Sequence, residues 1–158
     1  MFLTSIDSYP HQIIIFLGSR WKVKALTYKI SKYPSTNRLT KREVDSEIKK
    51  ALNVWAEVTD LTFEQRQFGK VHIDIRFESR MHGDGDPFDG LGGTLAHAYF
   101  PVYGGDAHFD NAEAWTINSL KGTNLLQTAA HEFGHSLGLS HSDQVGRAKF
   151  HNFAGFLS

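Results

Sequence analysis

Apolar residues recur at helical spacing over residues 40–58, which predicts a first long helix with one buried face. That face would consist of Val44, Ile48, Ala51, Leu52, Trp55 and Val58. Thr40 followed three residues later by Glu43 predicts a capping box at the start of the helix. A second helix is predicted from about residue 124 to 137, with Asn124 as its N-cap and Gly138 at its C-terminal end.

Strands are predicted where polar and apolar residues alternate. Residues 24–30, 61–64 and 71–77 show this pattern. Residues 81–110 are rich in Gly, Asp and His, with further strand candidates only at 94–100 and 107–110. Such a long irregular stretch is unusual in a compact domain, and bound ions would explain it. The order of elements predicts an α+β fold, with a mixed sheet and the helices on one side.

The composition of the chain argues against several kinds of partner and site. The 158 residues carry a formal net charge of zero, so no nucleic-acid partner is expected. No apolar run approaches the roughly 18 residues of a membrane span, so none is predicted. Cysteine is absent, which excludes disulfides and cysteine-bound metals. Histidine is the unusual residue type, with nine in the chain.

Residues 131–141 read HEFGHSLGLSH and predict a catalytic zinc site. His131 and His135, four residues apart on a helix, lie about 40° apart around it and roughly 6 Å along it, so both imidazoles can reach one ion. Gly138 allows the chain to turn and bring His141 in as a third ligand. Three neutral imidazoles leave a fourth position for water, as in a catalytic zinc. Glu132 would take the proton of that water and pass it to a leaving amine, which amounts to amide hydrolysis.

The irregular stretch contains two further sets of candidate ligands. The first set, which would suit a closed structural zinc, consists of His82, Asp84, His97 and His108. The second set, which offers the hard oxygen atoms that calcium prefers, consists of Asp89, Gly90, Gly92, Thr94, Asp110 and Glu113. By spacing alone, each set is also compatible with ordinary turns.

Three segments together resemble the catalytic domain of the matrix metalloproteinases, within the metzincins. They read HEFGHSLGLSHS, HGDGDPFDGLGGTLAHAYF and GGDAHFDNAEAW. A serine directly after the third histidine, here Ser142, resembles the sequence of the matrixin branch of the metzincins. The resemblance implies a catalytic domain over residues 17–143, a divergent N-terminal extension at 1–16 and a divergent C-terminal tail at 144–158. It also implies a metzincin-like zincin fold: a twisted five-stranded mixed sheet, two long helices and an active-site cleft along an antiparallel edge strand.

The resemblance also assigns roles to residues. The three motif histidines would hold the catalytic zinc, with Glu132 as general base. The first set would hold a structural zinc. The second set would hold calcium, with Gly90, Gly92 and Thr94 contributing backbone oxygens. Leu95 and Ala96, on the edge strand, would contact an extended peptide by main-chain pairing.

The function implied is a zinc-dependent endopeptidase acting on extracellular-matrix-type proteins in the extracellular space. Two zinc ions and calcium would be its cofactors, and protein inhibitors would be further partners. From Val145 onward the sequence does not resemble the family, and its methionine turn and closing helix are not matched. The alternative is therefore a truncated, catalytically inactive metal-binding fragment that still binds substrate or inhibitor.

Overall fold

A computed structural model describes residues 19–35, 38–119 and 121–141. Three predictions concern residues outside these ranges: the divergent N-terminal extension, the divergent C-terminal tail and the absence of a closing helix. Five strands form the main sheet: β1 (Ala25–Lys32), β2 (Thr62–Gln65), β3 (Ile73–Glu78), β4 (Ala96–Ala98) and β5 (Ala107–Asp110). Two α-helices accompany it, α1 (Lys41–Ala56) and α2 (Leu125–Ser136), and a short 3-10 helix (Pro101–Tyr103) follows β4. The predicted α+β fold is confirmed.

The sheet is mixed, with the strand order β2-β1-β3-β5-β4. Every neighbouring pair is parallel except β4 and β5, which are antiparallel, so β4 is the antiparallel edge strand. This strand is shorter than the predicted 94–100. Its ladder is continued outside the strand, where the Asp110 amide donates to Leu95 O and the Tyr99 amide donates to Asp106 O.

A second, two-stranded parallel sheet was not predicted. It consists of β6 (Trp115–Thr116) and β7 (Thr123–Asn124). Strands of two residues are too short for an alternating pattern to mark them in the sequence. This small sheet leads the chain directly into α2.

Helix α1 begins with the capping box that the sequence predicts. Thr40 Oγ1 accepts from the Glu43 amide, and the Glu43 carboxylate accepts from the Thr40 amide. Of the predicted apolar face, only Val58 is not buried: it lies beyond the end of the helix and is 57% exposed. The face packs α1 against the sheet and α2.

Helix α2 ends in a Schellman turn. The Leu139 amide donates to Gly134 O and the Gly138 amide donates to His135 O, both at 2.9 Å. Gly138 has a φ of 101°, which side chains other than glycine rarely adopt. The predicted role of this glycine is therefore confirmed, and the turn redirects the chain toward His141.

One hydrophobic core joins the sheet to both helices. Alternate residues of β1 and β3, such as Leu26 and Ile75, meet the buried faces of α1 and α2, and Phe77, Phe109 and Trp115 pack their rings together beside them. Within the described residues, neither helix is long and apolar enough to cross a bilayer. The core fixes α2 above the sheet next to β4, and this position determines the geometry of the site.

Candidate metal centres

The three motif histidines lie together at the end of α2. Their Nε2 atoms are separated by 3.1 Å (His131 to His141), 3.3 Å (His131 to His135) and 3.1 Å (His135 to His141). A tetrahedral zinc with bonds of about 2.05 Å places its ligand nitrogens about 3.3 Å apart. The three imidazoles therefore have the spacing of ligands that share one zinc ion.

The protonation of these rings also suits a metal. His135 Nδ1–H donates to Leu139 O at 2.7 Å, so its Nε2 atom presents a lone pair to the other two rings. Burial, together with the neighbouring rings of His135 and His141, lowers the pKa of His131 to about 4. Burial also lowers the pKa of His135. Both rings are thus neutral at neutral pH, which is the form that binds metal ions.

Glu132 follows the first of these histidines on α2 and is buried, with only 7% of its surface exposed. Burial raises the pKa of its carboxyl group to about 7. A carboxyl group with this pKa can exchange a proton in either direction near neutral pH, as a general base that later acts as an acid must do.

The set His82, Asp84, His97 and His108 also comes together, across three segments. His97 on β4 lies directly opposite His108 on β5 in the antiparallel register. Asp84 Oδ2 is 2.7 Å from His82 Nε2, 2.9 Å from His97 Nε2 and 2.8 Å from His108 Nδ1. His82 Nε2 is buried and, among the described residues, makes no hydrogen bond despite this proximity. Four donor atoms that converge in this way fit a closed tetrahedral zinc.

Exposure and charge separate the two centres. The His82 and His108 side chains are each 2% exposed, whereas His141 is exposed, so the α2 centre opens to solvent. Burial would raise the pKa of Asp84, but hydrogen bonds from the Asp86 amide and the imidazoles outweigh it and hold that pKa far below its usual range. Asp84 is therefore ionised at all physiological pH values. An ionised carboxylate among buried rings suits a bound cation.

The predicted calcium ligands lie in two segments, the loop at residues 89–94 and the end of β5 with the turn after it, and their carboxylates accept backbone hydrogen bonds. Asp110 accepts from the Gly90 amide at 3.0 Å, Asp89 accepts from the Thr94 amide at 3.1 Å, and Glu113 accepts from the Gly92 amide. Among the described residues, these three carboxylates do not form a group whose oxygens all lie within 4.8 Å of one another. The calcium site remains a prediction.

The predicted substrate-contacting residues lie at the edge of the sheet. Ala96 pairs with Phe109 of β5, and Leu95 packs partly buried against the core. Strand β4 has a neighbour on one side only. Its other side thus offers backbone groups to an added strand, and α2 with its histidines lies next to it.

Comparison with known proteins agrees with this geometry. A family model described as matrixin matches residues 20–154. The chain belongs to the matrixin family. Stromelysin-3 of Xenopus laevis is 53% identical over 130 residues, which is 81% of this chain and 27% of that relative. Interstitial collagenase of Equus caballus is 48% identical over 136 residues, 85% of this chain and 28% of the relative. Human matrix metalloproteinase-20 is 50% identical over 125 residues, 78% of this chain and 25% of the relative.

The chain thus spans about a quarter of the length of these curated relatives. Membership of the matrixin family implies zinc, and the two histidine centres are the places in the described residues where ligand atoms for it gather.

Sequence reasoning missed the groups of this matrixin that orient the candidate ligand rings. Leu139 O fixes His135, and Arg80 O lies 2.8 Å from Nδ1 of His82 and fixes that ring. Hydrogen bonds of this kind orient metal-binding histidines and set their tautomers. Because both acceptors are backbone carbonyls, no residue type in the sequence marks them.

Proposed function

We propose that this matrixin chain acts as a zinc-dependent endopeptidase on extracellular-matrix-type proteins. The observation that carries the proposal is the approach of three histidine Nε2 atoms to within 3.1–3.3 Å of one another, with a buried glutamate next to the first. The names of the relatives, which include a collagenase and a matrix metalloproteinase, support the substrate class. An extracellular location is part of the same proposal.

His131, His135 and His141 would hold the catalytic zinc. When bound, zinc supplies a Lewis acid that lowers the pKa of water to about 7 and polarises a carbonyl group. The two histidines on α2 keep their spacing because the helix is rigid, and His141 keeps its place because the Schellman turn is closed. Its exposure leaves a path for substrate to the centre.

Glu132 would act as the general base. It takes a proton from the attacking water and later donates it to the nitrogen of the departing amine. Burial raises the pKa of this carboxyl group to about 7 in the metal-free protein, and the positive charge of a bound zinc would favour the carboxylate form that accepts the proton.

The substrate would lie along β4 as an added strand. The backbone groups of Leu95 and Ala96 that do not pair with β5 would offer it hydrogen bonds, which bind an extended peptide with little regard to its side chains. His82, Asp84, His97 and His108 would hold a structural zinc that fastens the preceding loop to this strand. Calcium would bind between the loop at residues 89–94 and the segment that carries Asp110 and Glu113, with carboxylate oxygens from Asp89, Asp110 and Glu113 and backbone oxygens from Gly90, Gly92 and Thr94.

The test is cleavage of a quenched collagen-like peptide, with zinc and calcium present, by the full chain and by Glu132→Gln. We expect turnover by the parent chain, a loss of at least about a hundredfold in Glu132→Gln, and an unchanged zinc content because Glu132 is not a ligand. Equal rates in the two proteins would remove Glu132 from the mechanism. Two zinc ions per chain without turnover would instead identify a non-catalytic metal-binding protein that can still be tested for inhibitor binding.

A further inference from the structure

Residues 19–21, here called the N-terminal strap, cross the end of the zinc-site helix. The Trp21 indole N–H donates to Ser136 O, the last carbonyl of α2, at 2.9 Å. Ser19 Oγ accepts from the Val102 amide at 2.9 Å, which ties the strap to the 3-10 helix in the loop after β4. The Trp21 ring lies directly over Gly105, where a Cβ atom would come within 2.5 Å of the ring. The strap thus joins the loop to the helix end.

The bond to Ser136 O fills a gap in the helix. The last carbonyls of any α-helix lack partners within the helix, and a polar group left unpaired there is costly. The Schellman turn satisfies the carbonyls of Gly134 and His135. The Ser136 carbonyl receives its hydrogen bond from Trp21, a residue 115 positions earlier in the chain. The hydrogen bonding at the C-terminal end of α2 is therefore completed by a residue that lies outside the helix.

The turn that the strap contacts carries part of the metal site. Leu139 O receives the hydrogen bond that orients His135, and His141 follows two residues later. Gly138 faces the Ser19 carbonyl so closely that a Cβ atom would overlap it. A shift of the strap would therefore move the turn, and with it one ligand ring and the chain leading to another.

We propose that Trp21 is a positioning residue for the catalytic zinc centre, acting through Ser136 and the turn at 137–141. The proposal rests on the proposed function, because it takes the three histidines to be zinc ligands. It adds a residue that touches neither metal nor substrate. Through it, the affinity and the exchange rate of the catalytic metal depend on the docking of residues 19–21.

Simple packing is the competing role. Trp21 is half-buried against the core, and its ring meets His72 edge-on at 5.3 Å between centroids. Trp21→Phe keeps an aromatic ring there but removes the N–H donor together with the indole atoms that lie against Gly105, so its effect is compared with that of a variant that perturbs packing alone. Val44→Ala, in the buried face of α1, is the matched control because it destabilises the core without touching the strap.

The experiment measures zinc release from the full chain to an excess of a chromogenic chelator. Release is expected in two phases, one for each proposed zinc centre. In His141→Ala the phase of the three-histidine centre should be absent, which identifies that phase. In Trp21→Phe, that phase should be about fivefold faster, the factor that the loss of one ordinary hydrogen bond represents. The phase from the Asp84 centre should keep its rate. Cobalt in the three-histidine centre should also show a changed visible absorption spectrum in this variant.

Equal acceleration of both phases, or the pattern seen in Val44→Ala, would overturn the proposal in favour of packing alone. An unchanged release rate would also overturn it. If Trp21→Phe folds poorly, Ser19→Ala tests the same strap through its bond to Val102, with an acceleration of about twofold expected for an exposed bond. A parent chain without a zinc phase that His141→Ala removes would overturn the proposed function itself. A parent chain with that phase and an unaffected Trp21→Phe would overturn only the role of Trp21.

Discussion

Burial of Glu132 makes a quantitative prediction about the metal-free protein. Its pKa is raised from 4.5 to about 7 because the carboxyl group lies inside the domain, where the charged form is poorly solvated. In the unfolded chain the same group titrates near its ordinary value. Replacing it by glutamine removes the titration while keeping the shape of the side chain.

The sign and size of the effect follow from proton linkage. Between pH 4.5 and 7, the folded protein holds a proton on Glu132 that the unfolded chain has lost, so the stability it contributes falls as pH rises through this window. The full difference corresponds to about 3 kcal/mol of unfolding free energy. The unfolding free energy of Glu132→Gln should therefore equal that of the parent chain near pH 4.5 and exceed it by up to about 3 kcal/mol at pH 8.

The assay is denaturant unfolding of both proteins in excess chelator, at several pH values from 4.5 to 8. The other titratable groups are common to both proteins and cancel in the difference. Glu57→Gln, at an exposed position at the end of α1, controls for the loss of one carboxylate. A stability difference that stays constant across the range, or a Glu132→Gln protein that is less stable at pH 8, would refute the reasoning.

Three further outcomes are expected. Gly138→Ala should lower the unfolding free energy by more than about 2 kcal/mol, since its φ of 101° alone costs about 1–2 kcal/mol for alanine and the new methyl group overlaps Ser19, as denaturant titration will measure. Asp84→Asn should reduce the zinc content of the purified chain from two ions to one by metal analysis, because the carboxylate at the centre of three imidazoles loses its charge. Phe77→Ala should cost about 3–5 kcal/mol and lower the melting temperature measured by circular dichroism, since the ring is fully buried and stacked on Phe109.

The local patterns of the sequence predicted the elements that carry the site. The apolar stripe of α1, the cap at Thr40 and the glycine that ends α2 depend on neighbours within a few positions, which a sequence shows directly. The spacing of the motif histidines also predicted their convergence, because a helix fixes the relative position of residues four apart.

The parts that escaped prediction depend on distant contacts. The short strands β6 and β7 exist because they pair with each other, not because their residues alternate. The bond from Trp21 to Ser136 spans 115 positions and ends on a backbone carbonyl, so neither partner is marked by its type. Leu139 O and Arg80 O orient candidate ligand rings, and as backbone carbonyls they too are not marked by any residue type.

The cross-strand pairing of His97 and His108 has a consequence for catalysis. His97 belongs to the three-residue edge strand, and a strand so short gains little rigidity from its own ladder. An ion held by these two rings would pin that strand to its neighbour at its midpoint. Under the proposed function, loss of this ion should therefore appear first as a raised KM, because the edge strand that would bind the peptide becomes less rigid, while the proposed catalytic residues on α2 stay in place.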